Sequence, residues 1–253
     1  MALCDDHRRG NTTRYLGIYA PRTDCGPCWS IFREKHPAGS VEDLRHFSKL
    51  DQEGKSKVLL GDGPFSIAMY DLECTHLKPN VGRILCASFK PLGGDVYTFH
   101  GLEGRFRKPD VYDDSALAVA IRDELERYDV IVGWNSKLFD TRYVNARLIR
   151  AGARIKKAQY QIDGMWSWRS KFNAWSGLDS VQKFVHPGAE VEKTHIAWEQ
   201  WMRALGWDKK LREAAMAEIV DHCERDVIVL EEVYRLLASS TVIRSLRRDG
   251  GVL

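Results

Sequence analysis

Apolar and polar positions keep two different rhythms along this chain, and the rhythm changes near residue 60. Beyond that point β-type runs alternate with helix-type stripes. Phe65 to Leu72 is apolar and β-prone, Arg83 to Lys90 and Val96 to His100 follow, and Pro91-Leu92-Gly93-Gly94-Asp95 has the chemistry of a hairpin turn. Leu117, Ile121, Leu125 and Tyr128 recur at helical spacing behind Asp113-Asp114-Ser115, a cluster suited to capping a helix N-terminus. Asp129-Val130-Ile131-Val132-Gly133 reads as a short buried strand, Phe139 to Ala151 as a helix stopped at Gly152, and Gln159 to Asp163 as a fifth strand. Helices are then predicted over Leu178 to Val185 and over the stripe Trp198, Trp201, Met202, Leu205, which ends at Gly206. Ile219, Cys223, Val227, Leu230, Tyr234 and Leu237 form one face of a long final helix. A strand meander followed by alternating helices and strands predicts an α/β domain over residues 61–253. Before it, Asp51 to Lys57 is polar and Gly61-Asp62-Gly63-Pro64 is turn-forming, so residues 1–60 are expected to form a separate Cys/His-bearing module and link.

Composition narrows the class. The chain has 253 residues, 44% hydrophobic and 29% charged, with a net charge of +3, as expected of a folded domain whose charge permits nucleic acid without demanding it. No apolar run approaches the ~18 residues a membrane helix needs, and Met1 to Gly10 has no signal-peptide character. A soluble, cytoplasmic protein with no membrane partner is expected. Six cysteines are too few for a disulfide scaffold and read as thiols or metal ligands.

Three acidic clusters sit inside otherwise apolar elements. Asp71 and Glu73 lie two apart in a strand and so share a face, where like charges are costly unless a cation offsets them. Asp140 opens a helix just after the buried strand 130–133. His222 and Asp226 lie one turn apart on the final helix, bordering its apolar stripe.

In this order the clusters resemble the DEDD family of 3′–5′ exonucleases. Asp71-Leu72-Glu73-Cys74-Thr75 is similar to that family's Asp-x-Glu strand, Asn135-Ser136-Lys137-Leu138-Phe139-Asp140 to its Asn-x-x-x-Phe-Asp motif, and His222-Cys223-Glu224-Arg225-Asp226 to its third, helical motif. The resemblance covers residues 62–240. It implies a ribonuclease H-like mixed sheet flanked by helices, and two Mg²⁺ or Mn²⁺ ions held by Asp71, Glu73, Asp140 and Asp226. By the same resemblance His222 would take the proton of the attacking water. Thr75, His76, Leu77, Asn135 and Phe139 would surround the terminal nucleotide. The expected partner is a single-stranded or frayed nucleic-acid 3′ end, with DNA the first expectation over RNA. His222 combines the spacing of the Tyr-type subgroup with the residue of the His-type one, so the subgroup stays open. Asp163 is expected to cap the next turn rather than ligate. The rival reading is a non-catalytic nucleic-acid-binding adaptor on the same fold. Oligomeric state is left open.

Two further features carry chemistry. Cys4-x-x-His7 and Cys25-Gly-Pro-Cys28 are paired hooks of the kind that hold one structural Zn²⁺, and they resemble small zinc modules of nucleases and phage proteins. Met165 to Trp175 interleaves tryptophans with Arg169 and Lys171, a composition that suits base stacking and phosphate neutralisation, although core packing explains such tryptophans equally. Arg142, Arg147, Arg150, Arg154, Lys156 and Lys157 gather around the helix of Asp140, where a solvated face is the default expectation.

Overall fold

The computed structural model describes residues 12–15, 18–21 and 47–246, apart from 64, 109, 111, 158, 173, 175, 241, 244 and 245. Near the amino terminus β1 (Thr12–Tyr15) and β2 (Ile18–Pro21) pair antiparallel. Cys4, His7, Cys25 and Cys28 lie outside the described residues.

The main sheet has five strands: β3 (Ile67–Cys74), β4 (Ile84–Pro91), β5 (Tyr97–His100), β6 (Val130–Gly133) and β7 (Tyr160–Asp163), in the order β5-β4-β3-β6-β7. The first three form an antiparallel meander, and β6 and β7 add parallel to β3 on its other side. The sheet is therefore mixed, with β3 central.

Helices cover both faces. On one side lie α1 (Gln52–Leu59) and α7 (Lys209–Ser239), joined by α4 (Gly164–Arg169) and α5 (Leu178–Val185); on the other lie α2 (Ser115–Leu125) and α3 (Asp140–Arg150); α6 (Trp198–Arg203) precedes α7. The two cores follow from the period-two pleat of β3. Ile67 and Met69 pack with Val227, Leu230 and Tyr234 of α7, whereas Ala68, Tyr70 and Leu72 pack with Leu117, Ile121 and Tyr143 of α2 and α3. The predicted stripe of α7 is buried along its whole length. At about 1.5 Å per residue its 31 residues run roughly 46 Å across the sheet.

Several local expectations change. The polar stretch beginning at Asp51 is helical: Asp51 caps α1 by accepting from Gly54 N at 2.8 Å, and Val58 and Leu59 enter the core shared by β3 and α7. Asp114 occupies the N-cap position of α2 without capping it. Its carboxylate instead accepts from Ile84 N at 2.7 Å and from Arg147, while Asp113 accepts from Ser115 N at 2.9 Å. Arg147 is no surface cation. It is fully buried, bonds Asp114 through Nε and Nη2, and donates to the carbonyls of Pro79 and Gly82 at 2.9 and 2.8 Å. Lys156 is buried as well, donating to Gln159 Oε1 at 3.0 Å, and Arg154 pairs with Glu126. The α6 stripe is only half in the core, because Trp201 and Leu205 pack inward while Trp198 and Met202 are exposed.

Candidate functional site

The pleat that sorts the core also places the chemistry. Asp71 and Glu73 continue the face of Ile67 and Met69, so they look toward α7 just where β3 runs out of apolar residues. A register shift between Glu73 and Cys74 ends the regular pairing with β4 there. From α7, Cys223 lies against Asp71, its Sγ 3.5 Å from Oδ2, and His222 Nε2 lies 3.4 Å from Glu73 Oε1 and 4.0 Å from Asp226 Oδ2. Two tight sets of donor atoms result, Asp71, Glu73 and Cys223 on one hand and Glu73, His222 and Asp226 on the other, each within 4.8 Å. Helical spacing brings His222 and Asp226 to the same cleft.

Asp140 enters from the other core. It is buried at the start of α3, and its pKa is pushed well above the usual carboxylate range, by burial first and then by the charges of Asp71 and Asp163. Asp71 is raised from 3.8 to about 6 by burial and by Asp226, against the pull of Lys193. Glu73 is raised well above its ordinary value, again by burial and then by Asp71. Acids so close together in a sheltered cleft repel one another, and this sets up a demand for positive charge.

Part of that demand is met by a residue that no periodicity announces. Lys193 lies in the irregular segment between α5 and α6, and its Nζ bonds Asp226 Oδ2. Burial disfavours its ammonium, but Asp226, Asp71 and Glu73 outweigh that and raise its pKa. The next residue, Thr194, places Oγ1 2.7 Å from His222 Nδ1. His222 is lowered below 6.5, chiefly by burial and against the attraction of Asp226, which favours the neutral ring. Trp201 stands edge-on to that ring at 6.2 Å.

The turn between β6 and α3 is held by Asp163. Asn135 adopts a positive φ of 63°, a conformation that Asn tolerates better than most residues, and Gly133 leaves room for Ser136, which a Cβ would meet at 2.3 Å. Asp163 accepts from Asn135 N and Lys137 N, both at 3.1 Å, and caps α4 by accepting from Trp166 N at 3.2 Å. The capping role expected for it is the one it has.

The nucleotide-facing candidates divide. Thr75 is buried and its hydroxyl accepts from Arg83 N at 3.0 Å, which secures the end of β3. His76 and Leu77 are exposed. Phe139 is half-buried against Tyr143 at 5.7 Å.

The donors suit a hard divalent ion. They are mostly carboxylate oxygens, they are sheltered like charges, and Asp226 Oδ1 is buried with no hydrogen-bond partner among the described residues.

A mixed five-stranded sheet with helices on both faces and acids at the end of its central strand is the ribonuclease H-like arrangement. A family model described as RNase_H superfamily matches residues 68–238. The chain belongs to that superfamily. No curated protein matches it in sequence. Among solved structures, the family B DNA polymerase from the hyperthermophilic archaeon Pyrobaculum calidifontis is similar in fold, with a TM-score of 0.51 and 19% identity over 72% of this chain. The match spans 26% of the polymerase, about a quarter of its length. No helix among the described residues is long and apolar enough to cross a membrane.

Proposed function

We propose that this protein is a metal-dependent nuclease that removes nucleotides from the 3′ end of nucleic acid, DNA in the first instance. The observation that carries the reading is the meeting of Asp71 and Glu73 from β3 with His222 and Asp226 from α7 in one cleft, in the motif order of the DEDD exonucleases. Asp71, Glu73, Asp140 and Asp226 would hold the ions. When bound, two Mg²⁺ or Mn²⁺ ions supply Lewis-acid stabilisation of the phosphoryl oxygens and lower the pKa of the attacking water.

The chain's own residues do the rest. Burial favours the neutral form of the His222 ring, the form that can accept a proton. In the tautomer in which Nδ1–H donates to Thr194 Oγ1, Nε2 is the acceptor and faces Glu73 across the cleft; the base role requires that tautomer. Trp201 screens one edge of the ring. Asp163 fixes the turn that brings Asp140 into line, and Leu77 and Phe139 offer apolar surface to the terminal nucleotide.

One observation favours the adaptor reading: the Lys193–Asp226 pair already places a cation among the acids. Incubating the protein with 5′-labelled single- and double-stranded DNA and RNA, with Mg²⁺ or Mn²⁺ and with EDTA, separates the two. A ladder shortening from the 3′ end, absent in EDTA and in Asp226→Asn, supports the nuclease. Binding without any metal-dependent product, together with no calorimetric Mn²⁺ binding, supports the adaptor.

A further inference from the structure

The run from Met165 to Lys171 divides between two environments. Trp168 is buried and belongs to the core, packed against Phe172 at a centroid distance of 4.6 Å with the ring planes tilted by 48°. Trp166, two residues earlier on α4, is 53% exposed. It borders a cavity of about 300 Å³ between the edge strand β7, α4 and Val242-Ile243. Ser167, Ser170 and Lys171 line it from α4, and Lys137 lines it from the turn that leads to Asp140.

The chemistry of this cavity is that of a nucleotide. Lys137 and Lys171 bring two positive charges. Among the described residues of its wall the acid is Asp163, which accepts from three backbone N–H donors. Gln161 lines the same cavity and is 2% exposed. Its Nε2 is fixed by donating to Ser136 Oγ at 2.8 Å and Thr141 Oγ1 at 2.9 Å, while its buried Oε1 has no hydrogen-bond partner among the described residues. The exposed indole offers a π-face, and single strands bind through such faces together with cations that follow the phosphates. The cavity is tied to the proposed site by geometry: Asp163 in its wall accepts from Asn135 N and Lys137 N and so holds the turn that leads to Asp140.

We infer that this cavity is a subsite for a nucleotide of the substrate strand away from its reacting end, with the base on Trp166 and the phosphate between Lys137 and Lys171. The inference rests on the nuclease reading, which supplies the strand. It explains why one tryptophan of the run is left out of the core while its neighbour is in it.

Binding is measured on the full chain in EDTA, so that nothing is cleaved, by the anisotropy of 5′-labelled oligothymidylate and oligodeoxyadenylate across a salt series. Stacking on one aromatic is worth ~1–3 kcal/mol per base, so Trp166→Ala should raise Kd roughly 5- to 160-fold. Lys171→Gln, at an exposed position that does not threaten the fold, should weaken binding and reduce the slope of log K against log salt by about 0.7, one single-strand phosphate contact. Lys210→Gln, an exposed position on α7, should change neither quantity. If Lys171→Gln leaves both Kd and the salt slope at wild-type values, or shifts them no more than Lys210→Gln does, the subsite is wrong. Loss of self-association on Trp166→Ala with unchanged oligonucleotide affinity would likewise overturn it, in favour of a contact between copies of the chain. Hydrolysis of the p-nitrophenyl ester of thymidine 5′-monophosphate by the wild type, with Mn²⁺, tests the nuclease reading separately, since so small a substrate needs no distant subsite.

Discussion

Replacing Asp71 by Asn should stabilise the metal-free protein at pH 8 while abolishing the proposed activity. In the folded chain, burial and Asp226 raise the Asp71 carboxyl from 3.8 to about 6. In the unfolded chain it titrates near its ordinary value. Between those two pKa values the folded state holds a proton that the unfolded state has released, so stability falls as pH rises through the window and the full penalty stands above about pH 6. A rise of about two units corresponds to about 3 kcal/mol. Asn keeps the shape and cannot ionise, so this penalty vanishes. Glu73 and Asp140, for both of which Asp71 is the strongest neighbouring charge, are relieved as well. Lys193 loses one of its acids, which makes ~3 kcal/mol an upper figure for Asp71 itself. For a chain of this size each kcal/mol moves Tm by about 2–4 °C, so the variant should melt about 6–12 °C higher in EDTA at pH 8. The advantage should shrink by about half at pH 5, where the folded wild type keeps its proton. Calorimetric scans of both proteins in EDTA from pH 5 to 8 give the difference directly. A variant no more stable than the wild type at pH 8, or a gain that does not change with pH, would refute the placement of Asp71 in a sheltered cluster of acids.

His222→Ala should lower the rate by about 10²- to 10⁴-fold with near-normal single-strand affinity, and His222→Tyr should retain more activity than Ala; a pH–rate profile unchanged by either substitution removes His222 as the base. Asp226→Ala should abolish metal-dependent hydrolysis and weaken Mn²⁺ binding in a calorimetric titration, since it strips a proposed ligand and leaves Lys193 without its nearest acid. Arg147→Met should cost about 3–5 kcal/mol in denaturant unfolding, because it strands Asp114, 3% exposed, without its partner; Arg147→Lys should restore little, since an ammonium cannot span Asp114 and the carbonyls of Pro79 and Gly82 together. If Cys4, His7, Cys25 and Cys28 hold one Zn²⁺, elemental analysis should find one zinc per chain, reduced by Cys25→Ser without loss of the α/β core; zinc-free protein purified without chelator would end that proposal.

The sequence by itself determined the five strands of the main sheet, most of the helices and the acids. Apolar, β-prone runs placed β3 to β7 to within a few residues, because strands covered by helices on both faces are apolar at successive positions, and the period-3.6 stripe of α7 is buried as written, because it records the face that meets the core. Asp71 and Glu73 could be assigned to one face, and His222 to the face of Asp226, because those relations depend only on spacing within one element. What only the tertiary structure decided are relations between elements. Nothing in Val191 to His195 marks Lys193 and Thr194 as neighbours of Asp226 and His222, since they lie on a segment with no periodicity and meet α7 only once the chain has folded back. Arg147 could have been suspected, because it falls on the inward face of α3 beside Tyr143, Val144 and Leu148, yet its partner Asp114 lies 33 residues earlier, where it resembled a helix cap. The division of Trp166 from Trp168 is of the same kind. On so short a helix, which indole is buried depends on what packs above it, and here Phe172 and the core cover one face while the cavity beside β7 leaves the other open.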